Sequence, residues 1–290
     1  MKKLLILLIV SIAEIRAFSE IRPVSETTDT ALAPPSPAVS VLHPAADKFE
    51  RTFAGRLGPH EPIYFIYGPD APAAKFQFSF KYKILTFGEA TSQRIPSTLQ
   101  FAFSQRSLWD ITGTSSPFYD TSYMPELFYE SLAPASEKSG GLTWLGFQAG
   151  YKHESNGRDG PVSRSLNTLF VQPVFSFGAL EGWHLVVMPK IFTYIGGLGD
   201  NADLKDYRGY GQLRFVIGKK NSGPSLMYTG IVGQHWSHLS NQLDLTVPVR
   251  TLLLDFETYL LVQYFNGYGE SLLSYRDKSE ALRAGFSLVR

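Results

Sequence analysis

From residue 75 the chain reads KFQFSFKYKI. In an extended strand successive side chains point to opposite faces, so Phe76, Phe78, Phe80, Tyr82 and Ile84 share one side and Lys75, Gln77, Ser79, Lys81 and Lys83 share the other. The same two-faced pattern returns as Leu99/Phe101/Phe103 against Gln100/Ser104, Leu213/Phe215/Ile217 against Gln212/Arg214, Leu243/Leu245/Val247/Val249 against Gln242/Asp244/Thr246, and Leu282/Ala284/Phe286/Leu288 against Arg283/Ser287. A chain that repeats this period from end to end is all-β. Strands are predicted at 62–68, 75–85, 97–109, 124–132, 142–155, 163–177, 183–195, 208–219, 225–236, 241–249, 256–268 and 279–289, separated by clusters of Gly, Pro, Asn, Asp and Ser.

A water-soluble β-sandwich alternates too, with its apolar face forming a core. Two features favour a membrane barrel. Many of the predicted strands reach ten residues or more, the length that a tilted span of a ~30 Å hydrocarbon layer needs, where soluble strands average about five or six. Their ends carry Trp109, Tyr123, Tyr129, Trp183, Tyr194, Tyr210, Trp236 and Tyr259, placed as interfacial girdles would be. An even number of strands in up-and-down antiparallel order closes on itself and leaves no edge unpaired in lipid. The predicted architecture is therefore a transmembrane antiparallel up-and-down β-barrel of twelve strands. No stretch approaches the 18 consecutive apolar residues of a membrane helix.

Composition narrows the partners. With 27 basic and 26 acidic residues the net charge is +1, so no basic excess points to nucleic acid. Cysteine is absent, which removes disulfides, thiolate metal sites and a thiol nucleophile. The first residues, MKKLLILLIVSIAEIRA, pair two lysines with a short apolar run and a small residue, and predict a secretory signal peptide over 1–17. Residues 18–60 are rich in Pro, Ser, Thr and Ala and predict a flexible leader; the barrel is expected over 61–290.

The segment YKHESNGRDGPVSRSLN, residues 151–167, joins two of these strands. His153 and Ser155 share the apolar face with Leu145, Phe147, Ala149 and Tyr151, and Asn167 shares it with Leu169, Val171 and Phe175. In a barrel that face looks toward lipid. A hairpin centred on Gly160 sets His153 directly opposite Asn167, where paired side chains lie ~5 Å apart. A serine hydroxyl needs a base to take its proton, and the base needs a third group to hold its tautomer. The competing reading is a polar turn at the rim, since SNG and DGP are ordinary turn sequences. Polar groups on a lipid-facing wall are costly, which weighs toward a role. Gln105 falls on the apolar face of its strand as well, so its amide also calls for a partner. Asp200, Asp203 and Asp206 read as solvated loop residues, and His235 and His238 as loop-rim residues.

The string His153, Glu154, Ser155, Asn156, Gly157, Arg158, followed by Ser163, Arg164, Ser165 and Asn167, resembles the signature of the outer membrane phospholipase A family of Gram-negative bacteria. SSPFYDTSYMPELF (115–128), DLKDYRGYGQL (203–213) and YFNGYGESLLSY (264–275) extend the resemblance in order over residues 60 to 290. The resemblance implies a twelve-stranded outer-membrane barrel that hydrolyses acyl esters of membrane phospholipids and lysophospholipids, depends on Ca2+ and acts as a reversible homodimer. By motif, Ser155 matches the nucleophile, His153 the base, Asn167 the residue holding the imidazole, and Gly157 the oxyanion N–H. Arg158, through its carbonyl, and Ser163 match calcium ligands; Ser115 or its neighbour Ser116 matches a ligand given by the partner subunit. Gln105 matches a position at the subunit interface. The reading set against it is a non-enzymatic barrel, a pore or adhesion scaffold whose triad is degenerate.

Overall fold

The computed structural model describes residues 55–91, 95–134, 141–178, 182–219, 223–249 and 258–290. The expected signal peptide and all of the leader before residue 55 lie outside the described residues. Thirteen strands follow in chain order: β1 Leu57–Gly58, β2 Ile63–Tyr67, β3 Ala74–Phe87, β4 Ser97–Trp109, β5 Phe118–Leu132, β6 Leu142–Ser155, β7 Ser165–Gly178, β8 Trp183–Tyr194, β9 Gly211–Lys219, β10 Ser225–Val232, β11 Leu239–Val249, β12 Thr258–Gly267 and β13 Ser279–Val289. Strands β2 to β13 pair with their sequence neighbours, always antiparallel, and β13 returns to pair with β2 through Phe286↔Phe65 and Gly285↔Ile66. The twelve-stranded barrel is closed. β1 is an extra two-residue strand on β3, Leu57↔Tyr82 and Gly58↔Lys81, formed by residues that fall within the expected leader.

The exposure pattern is the reverse of a soluble core. Phe65, Phe78, Leu127, Leu169, Val171, Ile217, Leu282 and Phe286 are exposed on the outer wall, whereas Ser79, Gln100, Ser104, Glu126, Glu154, Asp244, Gln263 and Arg283 are buried inside. Apolar-out and polar-in is the signature of a membrane barrel and excludes the sandwich.

Three differences from the expected strands have local causes. β5 starts at Phe118, not at 124, because its first turns carry Asp120, Thr121 and Ser122 and show no apolar alternation. β9 starts at Gly211, not at 208, because Leu204–Arg208 forms a short helix. β10 stops at Val232, because Gln234–Trp236 is a 3-10 turn.

Three carboxylates inside the barrel, Glu270, Glu126 and Glu154, each serve two Lys or Arg cations. Glu270 lies 3.2 Å from Lys75 Nζ and 2.6 Å from Arg283 Nη1. Glu126 lies 3.4 Å from Lys152 Nζ and 3.9 Å from Lys190 Nζ. Glu154 lies 2.9 Å from Arg208 Nη1 and 3.7 Å from Arg106 Nη2. Each group ties together elements far apart in sequence, and the first spans β3, the loop after β12 and β13. A cavity of about 530 Å³ lies in the lumen, lined among others by Lys75, Glu270, Arg106 and Arg208.

Candidate active site

Antiparallel pairing places His153 opposite Asn167 and Ser155 opposite Ser165, the register expected from a hairpin centred on Gly160. The N–H of Asn156 donates to Arg164 O at 3.0 Å, so residues 156 and 164 form a hydrogen-bonded pair. Pair types alternate, which makes 155/165 and 153/167 the close pairs, with Cα atoms ~4.5 Å apart. His153 Nδ1 accordingly meets Asn167 Oδ1 at 2.8 Å. An amide oxygen only accepts, so Nδ1 carries the proton and Nε2 is left as the basic nitrogen; this tautomer is assigned from the network. Tyr151, which the sequence reading did not single out, donates its hydroxyl to the same Oδ1 at 2.6 Å and fixes the amide's orientation.

Ser155 stands on the same outer face two residues beyond His153, about 7 Å along the strand. Among the described residues no hydrogen bond joins its hydroxyl to His153; such contacts commonly tighten only when substrate binds. Rungs of the β5–β6 ladder run from Tyr123↔Ser155 to Glu126↔Lys152 with none between, at Pro125, which has no N–H to donate.

The turn after Ser155 is built by Asn156. It is 3% exposed, its Oδ1 accepts from Arg164 N at 3.0 Å, and its Nδ2 donates to Val162 O at 2.9 Å. The backbone of Gly157 has φ +66°, and a Cβ there would lie 2.8 Å from the Tyr123 ring, so both conformation and space require glycine. Arg158 turns its guanidinium to the carbonyls of Tyr119, at 2.5 Å, and Phe118, at 3.3 Å. Arg164 likewise donates to the carbonyls of Ser163, at 2.7 Å, and Pro161, at 2.9 Å. Both cations are thus held on backbone oxygens.

Ser115 and Ser116 lie in the β4–β5 turn with left-handed backbones, φ +63° and +45°. Serine pays for that conformation in steric strain, offset here by bonds from Ser116 N to Gly113 O at 3.0 Å and from Trp109 Nε1 to Ser116 O at 2.8 Å. Both are exposed; the Ser116 hydroxyl donates to Ile111 O at 3.1 Å, and the Ser115 hydroxyl has no hydrogen bond among the described residues. Gln105 faces outward opposite Tyr123, and Tyr123 in turn faces Ser155, so the three lie in one row across β4, β5 and β6. Its amide is not wholly unpartnered as expected: Nε2 reaches Ser107 Oγ at 3.4 Å, and Ser107 meets Thr121 at 3.0 Å.

Loops pack behind this hairpin. Leu166, Leu204, Leu272 and Tyr275 form a small buried core at the same end of the barrel. Asp203 is a partly exposed loop residue, as expected, but it is also paired: Arg276 donates to both its oxygens at 2.8 Å, and the Tyr275 hydroxyl donates to it as well. The Arg276 hydrogen bonds hold the Asp203 carboxyl down to about 2. Burial, reinforced by Asp203, pushes the Tyr275 hydroxyl up to about 12. Arg208 and Asn201, also in this loop, were missed in the sequence because they act through contacts far away in the chain.

The calcium candidates Arg158 O, Ser163 Oγ and the serines of the 115–116 turn are carbonyl and hydroxyl oxygens. Hard oxygen donors of this kind suit Ca2+. No group of three or more His, Asp or Glu side chains competes as a metal centre among the described residues.

The fold has solved counterparts. The outer membrane phospholipase A of Escherichia coli superposes with a TM-score of 0.67 at 26% identity over 80% of this chain and 91% of that one. A Salmonella typhi outer membrane phospholipase, solved as a dimer with bound calcium, matches with the same score and identity over 80% of this chain and 92% of its own. In sequence, the phospholipase A1 of Escherichia coli K12 is 32% identical over 195 residues, 66% of this chain and 62% of that protein. The match spans between 53% and 63% of the length of the curated relatives. The family model for phospholipase A1 runs over residues 60–288, from just before β2 to the end of β13. That span takes in the closed barrel and the His153–Asn167 pair alike, and the chain belongs to the phospholipase A1 family.

Proposed function

We propose that this chain is a calcium-dependent serine hydrolase of the bacterial outer membrane that cleaves acyl esters of glycerophospholipids at either glycerol position, and of lysophospholipids, as a homodimer. The observation that carries the reading is the 2.8 Å contact between His153 and Asn167 on the lipid-facing wall, with Ser155 two residues along the same face. Ser155 Oγ attacks the ester carbonyl as His153 Nε2 takes its proton. Asn167 and Tyr151 keep the imidazole upright and its Nδ1 protonated while positive charge develops on the ring. His153 then returns the proton to the leaving alkoxide, and water repeats the sequence on the acyl-enzyme. The Gly157 N–H donates to the oxyanion. Bound Ca2+ would add positive charge beside that oxygen. Arg158 O, Ser163 Oγ and Ser115 of the partner subunit would hold it; Ser115 is favoured over Ser116, whose hydroxyl is engaged by Ile111 O.

The test is fatty-acid release from phospholipid by the purified protein in detergent micelles. Chelating calcium is expected to stop release while the β-sheet circular dichroism is unchanged. Ser163→Ala should raise the calcium needed for half-maximal rate by about tenfold or more, since losing even a group that supports a metal ligand costs that much. An unchanged calcium requirement removes Ser163 from the site.

Gln105 supports the dimer. Its one bond among the described residues is long, at 3.4 Å, and an amide has capacity for more. Two copies meeting across a two-fold axis supply the remainder, an isologous contact. Polar contacts between membrane segments are worth about 1 to 2 kcal/mol. Gln105→Leu should therefore lower the dimer fraction in analytical ultracentrifugation with calcium present, and activity with it. Equal dimer yield would give the amide no role beyond Ser107.

A further inference from the structure

The backbone of β7 opposite the nucleophile is completed by a side chain. Because 155/165 is a non-hydrogen-bonded pair, the N–H and C=O of Ser165 point away from β6, toward β8. The same holds for Asn167, whose carbonyl accepts Ile195 N at 3.0 Å, the last backbone rung from that side. β8 ends at Tyr194, so no strand reaches Ser165. Asn201 does so instead: its Oδ1 accepts Ser165 N–H at 3.2 Å and its Nδ2 donates to Ser165 O at 3.1 Å. The carboxamide, one acceptor and one donor side by side, reproduces the edge of a neighbouring strand.

This amide is fixed from behind. Asn201 is 1% exposed, and its own N–H donates to Leu198 O at 3.0 Å within the Gly199–Asn201 turn. Three residues on, Leu204 anchors the loop in the small core with Leu166, Leu272 and Tyr275. Without Asn201, the N–H and C=O of Ser165 at the start of β7 would lose these partners, and the strand end facing Ser155 would fray.

We propose that Asn201 is a positioning residue for ester hydrolysis: it holds Ser165, and through that close cross-strand pair sets Ser155 relative to His153. The inference rests on the reading of Ser155 as nucleophile. Asn201 lies beside β7, beyond the end of β8, and among the described residues makes no hydrogen bond to His153, Arg158 or Ser163, so its effect belongs to geometry and falls on kcat.

The experiment measures kcat and KM on mixed micelles for the wild type, Asn201→Ala, Asn201→Asp and Ser155→Ala, with amide hydrogen exchange read on peptides covering residues 163–168. Asn201→Asp is isosteric and keeps the acceptor for Ser165 N–H while turning a carboxylate to the Ser165 carbonyl, so it serves if the alanine variant does not fold. Expected for the folded variants is a fall in kcat approaching the about 10²-fold that a misplacement of 1 Å can cause, with KM unchanged and exchange accelerated within 163–168. Wild-type kcat in both variants overturns the proposal, as does a lowered kcat accompanied by unchanged exchange in that peptide. Retained turnover in Ser155→Ala overturns instead the nucleophile assignment on which the proposal rests.

Discussion

Ser155→Ala is expected to eliminate fatty-acid release, with kcat falling on the order of 10⁶-fold, as when a serine nucleophile is removed from an established triad. The hydroxyl makes no hydrogen bond among the described residues, so a methyl in its place leaves the β6–β7 ladder as it was. Dimerisation with calcium and the circular dichroism of the barrel should be those of the wild type. Asn167→Ala should be milder, because it removes orientation and not the bond-forming atom, yet it also strips the acceptor from Tyr151 and His153 together. A correctly folded Ser155→Ala protein with wild-type turnover would exclude Ser155 as the nucleophile, whereas a wild type that releases no fatty acid with calcium present would bring back the non-enzymatic barrel.

The second large effect is expected on stability. Arg208→Ala removes the guanidinium that lies 2.9 Å from Glu154, a carboxylate only 5% exposed whose chain neighbours are His153 and Ser155. Deleting one partner of a buried ion pair costs about 3 to 5 kcal/mol, because the remaining charge stays buried. The lower figure applies here, since Arg106 remains at 3.7 Å and the adjoining cavity admits water. Arg208 also donates to Gly269 O at 3.2 Å, so the loop after β12 should loosen in the same variant. Urea titration of the protein in micelles reads the loss as an earlier midpoint. Adding Glu154→Gln to Arg208→Ala removes the orphaned charge and should recover most of it. If Arg208→Ala unfolds at the wild-type midpoint, lumen water already solvates Glu154 and the pair has no structural weight.

Much of the barrel is legible in the alternation because lipid and lumen demand opposite chemistry of neighbouring residues. Strands β4, β6 and β13 run within a residue of their expected bounds, and the register that brings Asn167 to His153 follows from the position of Gly160 alone. The start of β5 was hidden because residues 120–122 are all polar, leaving no apolar side for a period to mark. Arg208 and Asn201 were hidden for another reason. Arg208 lies 54 residues from Glu154, and Asn201 lies 36 from Ser165, in a loop where no period relates sequence to space. Asp203 illustrates the same limit: its polarity suggested solvent, but Arg276 and Tyr275 arrive from 73 and 72 residues away.

Glu270, with Lys75 on one side and Arg283 on the other, has a bearing on how the barrel is assembled. Lys75 and Glu270 are 195 residues apart, and Arg283 stands on the last strand, which pairs with the first strand of the ring. Until that seam closes, a cation near the beginning of the chain has no counter-charge and the final hairpin has an unbonded edge. Contacts of such high sequence separation are entropically late and slow to form. Neutralisation and edge closure therefore arrive in one event, which makes the finished cylinder cooperative and leaves a chain lacking its last strand with two unpaired strand edges, which disfavour entry into the bilayer.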